Sequence, residues 1–359
     1  MDSKITKQRL GRMLSYDWIK IIGIIVAFCI VWSLVFTMTA TRITTTQQFK
    51  VYNYAGNRGF SNDFMDLYNR AFDKEFSYEI LEIGQEELNQ ELNTVLEARF
   101  SVGEGDLMFI AHAENKNDKY TVGEGDEAQT YYRNYTETFA YSRVRFLYSL
   151  DGEDSYFKGI EKYLSKYFVD GSGNADWENG EVDEAKAKAD FRARVKKDKR
   201  FKTEAQLLQG EKDDIARLNS YREALKEFYD YLNVKKWVKF ETVTVPDYNG
   251  EEQDYTCYLN LNPSTVKTDE TTGEVLKDEY GNPLYNETVK DGGLTKYLAY
   301  YEEILGEDGK TQSSVTSKNM CVGFLTMDSL AQKYHTEEGF ECEALIFVNM
   351  LIKSAHGLA

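Results

Sequence analysis

The chain has 359 residues, with 43 basic and 60 acidic side chains and a net charge of −17. Only six of the basic and two of the acidic residues lie in the first 42, which leaves 37 and 58 beyond them and a net charge of −21 there. A surface of that sign disfavours nucleic acid and anionic lipid as main partners, because both are bound through a basic face.

The first element is Ile21 to Ala40, twenty residues without a charge between Lys20 and Arg42. About 20 apolar residues in a helix cross a bilayer core of ~30 Å. The preceding tail, residues 1–20, carries Lys4, Lys7, Arg9, Arg12 and Lys20 against Asp2 and Asp17. That excess predicts a cytoplasmic N-terminus and an exported remainder. A cleaved signal peptide is the rival, but its apolar core spans ~7–15 residues before small residues at the cut. Met38-Thr39-Ala40 fits such a cut poorly, and Phe28 before Cys29 does not suit a lipoprotein signal. The reading is an uncleaved anchor over 21–40, a tether over 41–48, and an extracellular domain over 49–359. Three of the four cysteines are exported. An odd number leaves at least one thiol unpaired, and Cys321 with Cys342 is the candidate disulfide.

Beyond the tether, Phe49–Tyr54 reads as a strand. Ser61 is placed to cap a helix whose apolar stripe is Phe64, Leu67, Tyr68, Ala71 and Phe72. Tyr78–Ile83 reads as a second strand, and residues 85–101 as a helix with Leu88, Leu92, Val95 and Leu96 on one face. Gly103 and Gly105 close that helix. Leu107–Ala111, LMFIA, has the unbroken apolar character of a strand buried on both faces. This β-α-β-α-β alternation predicts an α/β domain with a parallel sheet.

The rest of the chain reads less cleanly. Tyr131–Leu150 is ambiguous. Tyr156 to Tyr167 carries an amphipathic helical stripe, and 182–233 reads as one or two charged helices in which Gly210 is a candidate break. Val238–Val245 and Tyr255–Leu261 read as strands, 262–292 as an excursion with turns, and Leu294–Leu305 as helical. Met320–Leu325 reads as a strand, and Glu337–Ser354 as a closing helix that includes Phe340 and Phe347.

At Gln90–Ala111, QELNTVLEARFSVGEGDLMFIA, the chain resembles the extracellular solute-binding proteins of ABC importers, the sugar-binding type with the type II periplasmic fold. Gly103, Gly105 and Asp106 occupy the turn that leads into the apolar strand of that family. LSYDWIK before the span and DKRFKTEAQ among the charged helices look similar to membrane-anchored Gram-positive relatives. The resemblance implies two lobes around a cleft: 49–112 begins lobe 1, roughly 135–245 is mainly lobe 2, and the remainder is shared. It also implies a small-molecule or oligosaccharide ligand and an importer permease as partner.

In open sheets of this kind ligands lie beyond the carboxyl ends of the strands. That rule selects Tyr54, Asn57, Arg58, Gln85, His112 and Asn115 as candidate ligand-binding residues, and Trp237 joins them as a ring on which a sugar face can stack. No dinucleotide or P-loop glycine motif, no H-E-x-x-H and no G-x-S-x-G occurs, so nothing points to catalysis. One loop matches the ligand spacing of a calcium site: Asp170, Ser172, Asn174, Asp176, Glu178 and Glu181 at positions 1, 3, 5, 7, 9 and 12, with helices predicted on both sides. Ala175 stands where that loop requires glycine, and a polar interhelical loop explains the same residues. The function expected is a tethered receptor for a carbohydrate that feeds an importer. The alternatives are a sensory or interaction protein on the same fold, or an extracellular hydrolase.

The anchor generates a direct test. Protease added to intact cells is expected to digest everything after Arg42 and leave a small membrane-embedded remnant. A mature N-terminus near residue 41 would overturn the uncleaved anchor.

Overall fold

The computed structural model describes residues 7–39, 43, 47–54, 57–88, 93–122, 128–246, 249–289, 293–326 and 342–358. The first six residues, most of the tether, Leu92 and Phe340 lie outside that set. The chain divides into two compact units, Met1–Thr44 and Thr45–Ala359.

The first unit holds helix α1, Lys7–Thr39. Its 33 residues rise about 50 Å at 1.5 Å each. The window Trp18–Phe36 has a mean hydropathy of 2.6 and is long and apolar enough to cross a membrane. The helix starts well before the charge-free stretch, so much of the tail read as a separate segment continues the same helix.

The second unit runs, in chain order, β1 (Gln48–Asn53), β2 (Asn57–Arg58), α2 (Asn62–Lys74), β3 (Glu82–Glu87), α3 (Asn93–Ser101), β4 (Leu107–Ala111), β5 (Glu114–Val122), β6 (Gln129–Asn134) and α4 (Tyr135–Arg143). Next come α5 (Tyr156–Leu164), β7 (Phe168–Val169), β8 (Glu181–Val182), α6 (Glu184–Arg194) and α7 (Glu204–Tyr229). The chain closes with β9 (Lys239–Pro246), β10 (Glu252–Asn260), β11 (Ser264–Val266), β12 (Tyr285–Glu287), β13 (Ala299–Leu305), β14 (Thr311–Thr316), β15 (Met320–Phe324) and α8 (Glu343–Ala355). The central sheet has six strands in the order β3-β1-β4-β15-β10-β9. β3, β1 and β4 are mutually parallel; β15 runs against β4, β10 against β15, and β9 against β10.

Helices cover both faces because side chains alternate across a strand. Phe49, Val51, Leu107, Phe109, Met320, Val322 and Phe324 point to one face, where α2, α5, α7 and α8 pack. Tyr52, Met108, Ile110 and Cys321 point to the other, against α3 and α4. The aromatic centre of the first face is Phe64, which meets Phe109 and Phe347 edge-on at centroid distances of 5.5 Å each. Residues of 150–231 share this core with 49–111 rather than forming one of their own. Among the described residues the other sheets have two or three strands each.

Several elements fall where the sequence places them. Ser61 Oγ accepts from Phe64 N at 3.0 Å, and Phe64, Leu67, Tyr68 and Ala71 are the buried stripe of α2. Others require correction. The strand expected at 78–83 is β3, four residues later. Its ladder to β1 begins where Leu81 N donates to Gln47 O and ends where Leu88 N donates to Asn53 O, so Ile80 is a core plug ahead of the strand. The helix expected from 85 accordingly shrinks to α3. The helix expected at 294–305 is a single 3-10 turn followed by β13, whose backbone pairs with β2 on one side and β14 on the other. Gly210 does not break α7. A side chain there would run into the rings of Phe191 and Phe201, so the glycine lets α6 and its following loop approach closely. The disulfide is absent too: none of the four cysteines is joined to another, and burial pushes the Cys257 thiol up to about 12.

Asp106 sits at the start of β4. Its N–H donates to Lys50 O at 2.9 Å, its carboxylate accepts Lys50 N at 2.6 Å, and its carbonyl accepts Leu325 N at 2.9 Å. Burial pushes this acid up to about 8, against the opposing pull of the Lys50 amide bond. Its folded value is raised above the ordinary 3.8, so the stability it contributes is whole at low pH and is lost as pH rises through about 8. Asp106→Asn removes that ionisation. Unfolding in denaturant across pH 5 to 9 is expected to show the wild type losing stability relative to the variant as pH rises towards about 8 and levelling off above it; curves parallel over the whole range would refute the assignment.

Candidate functional site

The carboxyl edge of the parallel strands is where Asn53, Glu87 and Ala111 end side by side. β4 leads from there through His112 into the β5–β6 hairpin, and the hairpin delivers α4 back across the same edge. Three of the residues picked from sequence meet on the first turns of α4. The Tyr54 ring packs edge-on against Phe139 at 5.2 Å. His112 Nδ1 lies 2.7 Å from Thr136 Oγ1, and Asn134 Nδ2 lies 3.3 Å from His112 Nε2. Asn115 Nδ2 donates to Thr138 Oγ1 at 3.2 Å, while Asn115 Oδ1 accepts Asn117 N at 3.1 Å.

These contacts leave little for a ligand. Tyr54 is 2% exposed and Asn115 fully buried. An amide N–H facing Nε2 makes that nitrogen the acceptor, so Nδ1 carries the proton and donates to the Thr136 hydroxyl. Burial lowers the His112 pKa below its ordinary 6.5, consistent with a neutral ring. Tyr54, His112 and Asn115 therefore lock α4 over the strand ends. They converge as expected, but as internal partners.

The remaining candidates scatter. Arg58 is exposed on β2 and pairs through its backbone with Ala299 of β13. Asn57 occupies the neighbouring register position opposite Tyr300, and its side chain lies outside the described ones. Gln85 is exposed in the middle of β3, opposite Val51. Trp237 is far from the edge in its contacts: its ring stacks on His356 at 3.9 Å and on Tyr231 at 5.2 Å, with Lys235 Nζ 4.5 Å from its centroid.

The calcium-like loop has a different architecture from the one expected. It is flanked by the short paired strands β7 and β8 rather than by helices. Asp170 Oδ1 accepts Ser172 N at 2.8 Å and Asn174 N at 2.9 Å, and Asn174 Nδ2 donates to Oδ2 at 3.1 Å. Those bonds hold the carboxylate below the usual range. Asp176 Oδ1 accepts Asn179 N at 2.9 Å, and Glu181 is exposed in β8. The sequence Asp278-Glu-Tyr-Gly-Asn282 repeats the turn, with Asp278 Oδ1 accepting Tyr280 N and Asn282 N at 2.9 and 2.8 Å. Among the described residues no group of three or more His, Cys, Asp or Glu side chains is gathered to hold a metal ion.

Beside the locked edge lies an open cleft of about 660 Å³. One wall is the corner after β4, with Glu114, Lys116 and Tyr135. The other is the β13–β14 hairpin, with Tyr300, Tyr301, Glu303 and Gln312. Lys116 and Glu303 form an ion pair across it. Tyr301 is 58% exposed, whereas the neighbouring Tyr300 is buried and its hydroxyl pKa is raised by desolvation. The cleft offers rings, hydroxyls, one cation and carboxylates within one space, a set suited to a polar ligand with apolar faces. These residues were missed because Ala299–Leu305 was read at helical spacing. In the structure its exposure alternates as in a strand, with Tyr301 and Glu303 on one side, although the sequence AYYEEIL does not itself alternate. Comparison with protein-family models, with curated proteins and with solved structures finds no match to this chain.

The lock makes its own prediction. Tyr54→Ala is expected to cost roughly 3–5 kcal/mol of folding stability, the range for emptying a buried aromatic site. Denaturant unfolding reads it, and a change below about 1 kcal/mol would show that the ring does not hold α4 in place.

Proposed function

We propose that the chain is a membrane-tethered extracellular receptor for a small carbohydrate, a solute-binding protein that delivers its ligand to an ABC importer permease. The observation that carries the reading is the cleft itself. It stands at the carboxyl edge of a parallel β3-β1-β4 set, where open α/β sheets hold ligands, and it is lined by tyrosines beside an ion pair. Its volume of about 660 Å³ is in the range of pockets for small ligands. In this reading Tyr301 offers a ring face to a pyranose. Lys116, Glu303 and Gln312 exchange hydrogen bonds with its hydroxyls. The two walls, the sheet corner and the β13–β14 hairpin, stand in for the two lobes of the resembled family. A ligand touching both favours the closed arrangement by its differential affinity. The apolar helix α1 and the acidic remainder support tethering to a membrane without adsorption to it.

The test uses the full-length chain in detergent. A panel of neutral mono- and oligosaccharides is expected to include one that raises the unfolding temperature in a concentration-dependent way, because a ligand that binds only the folded state stabilises it. Tyr301→Ala is then expected to weaken that ligand about tenfold, or about 1.4 kcal/mol, with the fold intact since the ring is exposed. No stabilising sugar, or a sugar indifferent to Tyr301, would sink the reading.

A further inference from the structure

A second concavity lies on other elements, among the end of α2, the second half of α7 and α8. Its volume is about 770 Å³. Its rim and its floor differ in character. On the rim, Lys353 pairs with Glu227 at 2.7 Å and Lys226 approaches Glu223 at 4.0 Å. Arg70 and Lys74 also line it, and neither has an acidic partner among the described residues. They stand four residues apart on α2, one turn on the same face, where like charges repel. Both are exposed, so each alone reads as an ordinary solvated cation.

The floor supplies the independent observation. Asn349 of α8 lines the groove and is 2% exposed. Its Nδ2 donates to Ala224 O at 2.7 Å, which fixes the amide orientation because a carbonyl cannot donate. Its Oδ1 is therefore the free end, and it is buried without any hydrogen-bond partner. A buried acceptor left unmade is costly, and native proteins leave few of them. An O–H or N–H donor in the groove would satisfy it.

We propose that this groove is a second ligand site, for a small polyhydroxylated anion, a sugar that carries a carboxylate or a phosphate. Arg70 and Lys74 take the anionic group. Asn349 Oδ1 accepts a hydroxyl hydrogen at the floor. Glu223 and Glu227 accept from further hydroxyls while keeping their lysines, which favours a polyol over a plain anion. A domain with a net charge of −21 outside its first 42 residues repels diffuse anions, so an anion held here is held by local contacts.

The test is calorimetry and thermal unfolding of the full-length protein in detergent with glucuronate, galacturonate and glucose 6-phosphate, against glucose and inorganic phosphate. At least one acidic sugar is expected to bind, and the Arg70→Gln/Lys74→Gln double variant is expected to weaken it by at least tenfold. Preference for uronate or for sugar phosphate then identifies the anionic group. The site is separate from the cleft, so Tyr301→Ala is expected to leave acidic-sugar binding unchanged, and the double variant to leave neutral-sugar binding unchanged. Absence of binding by all three acidic sugars would overturn the proposal. So would binding that survives the double variant, or inorganic phosphate binding as well as glucose 6-phosphate does. None of those results bears on the cleft.

Discussion

Asp106 ties three strands together with three hydrogen bonds. Through its amide and its carboxylate it holds both polar groups of Lys50 in β1, and through its carbonyl it holds the end of β15 at Leu325. The approach is tight. Gly105 before it has φ +117, and a side chain there would run into the Tyr52 ring, so glycine is the residue that fits. Since a one-residue slip would turn every side chain to the wrong face, this junction decides which residues face which layer of helices. Alternation puts Phe109 and Met108 on opposite faces, and the register held here sets which of them meets which layer. The position of the carboxyl edge, and of everything built on it, follows.

That edge shows how a polar residue at a strand end can be captured by the fold before it reaches a ligand. His112, Asn115 and Tyr54 lie where a ligand would be sought, and α4 arrives first. Each finds its partner on that helix: Thr136, Thr138 and Phe139. The opening is displaced sideways, to a space whose far wall comes from β13 and β14, some 190 residues later in the chain than Lys116. A similar division governs the charged helices. Arg217 is buried between Asp214 at 2.7 Å and the Tyr163 and Tyr221 hydroxyls, and Asp214 also takes Arg194 at 2.6 Å. Glu343 joins from α8 through Tyr221. These charges of the helices over 182–233 form an interior network, which joins α6, α7 and α8.

What was legible in the sequence tracks how locally each element is determined. α2 could be read because its cap and its stripe lie within one segment. Leu107–Ala111 and Met320–Phe324 could be read because burial on both faces demands uninterrupted apolar residues. β3 could not, since Glu82–Glu87 is a polar edge strand whose identity comes from the ladder offered by β1. The Asp170 loop reads two ways because carboxylate and amide groups at alternate positions serve two ends: they can surround a cation, or they can cap the backbone amides of a tight turn, as Asp170 and Asp176 do here. Ala175 at the position requiring glycine was the available sign for the second. The cleft was illegible for a plainer reason. It is made by two segments far apart in the chain, one of which carries a strand with tyrosines and glutamates in helix-like composition.

The middle of the sheet has a consequence for how the protein comes into being. β15 fills the slot between β4 and β10, and its partners on β4 lie about 210 residues earlier in the chain. Until Met320–Phe324 is available, β4 and β10 present unpaired edges, and the Phe64 and Phe109 rings lack the cover that Phe347 supplies from α8. Contacts of such long sequence separation carry a large loop-closure entropy and form slowly. During synthesis the growing chain therefore has helices to offer but no completed sheet until Met320–Phe324 has emerged. A chain cut short before residue 320 would be an adhesive intermediate with open strand edges rather than a smaller working domain.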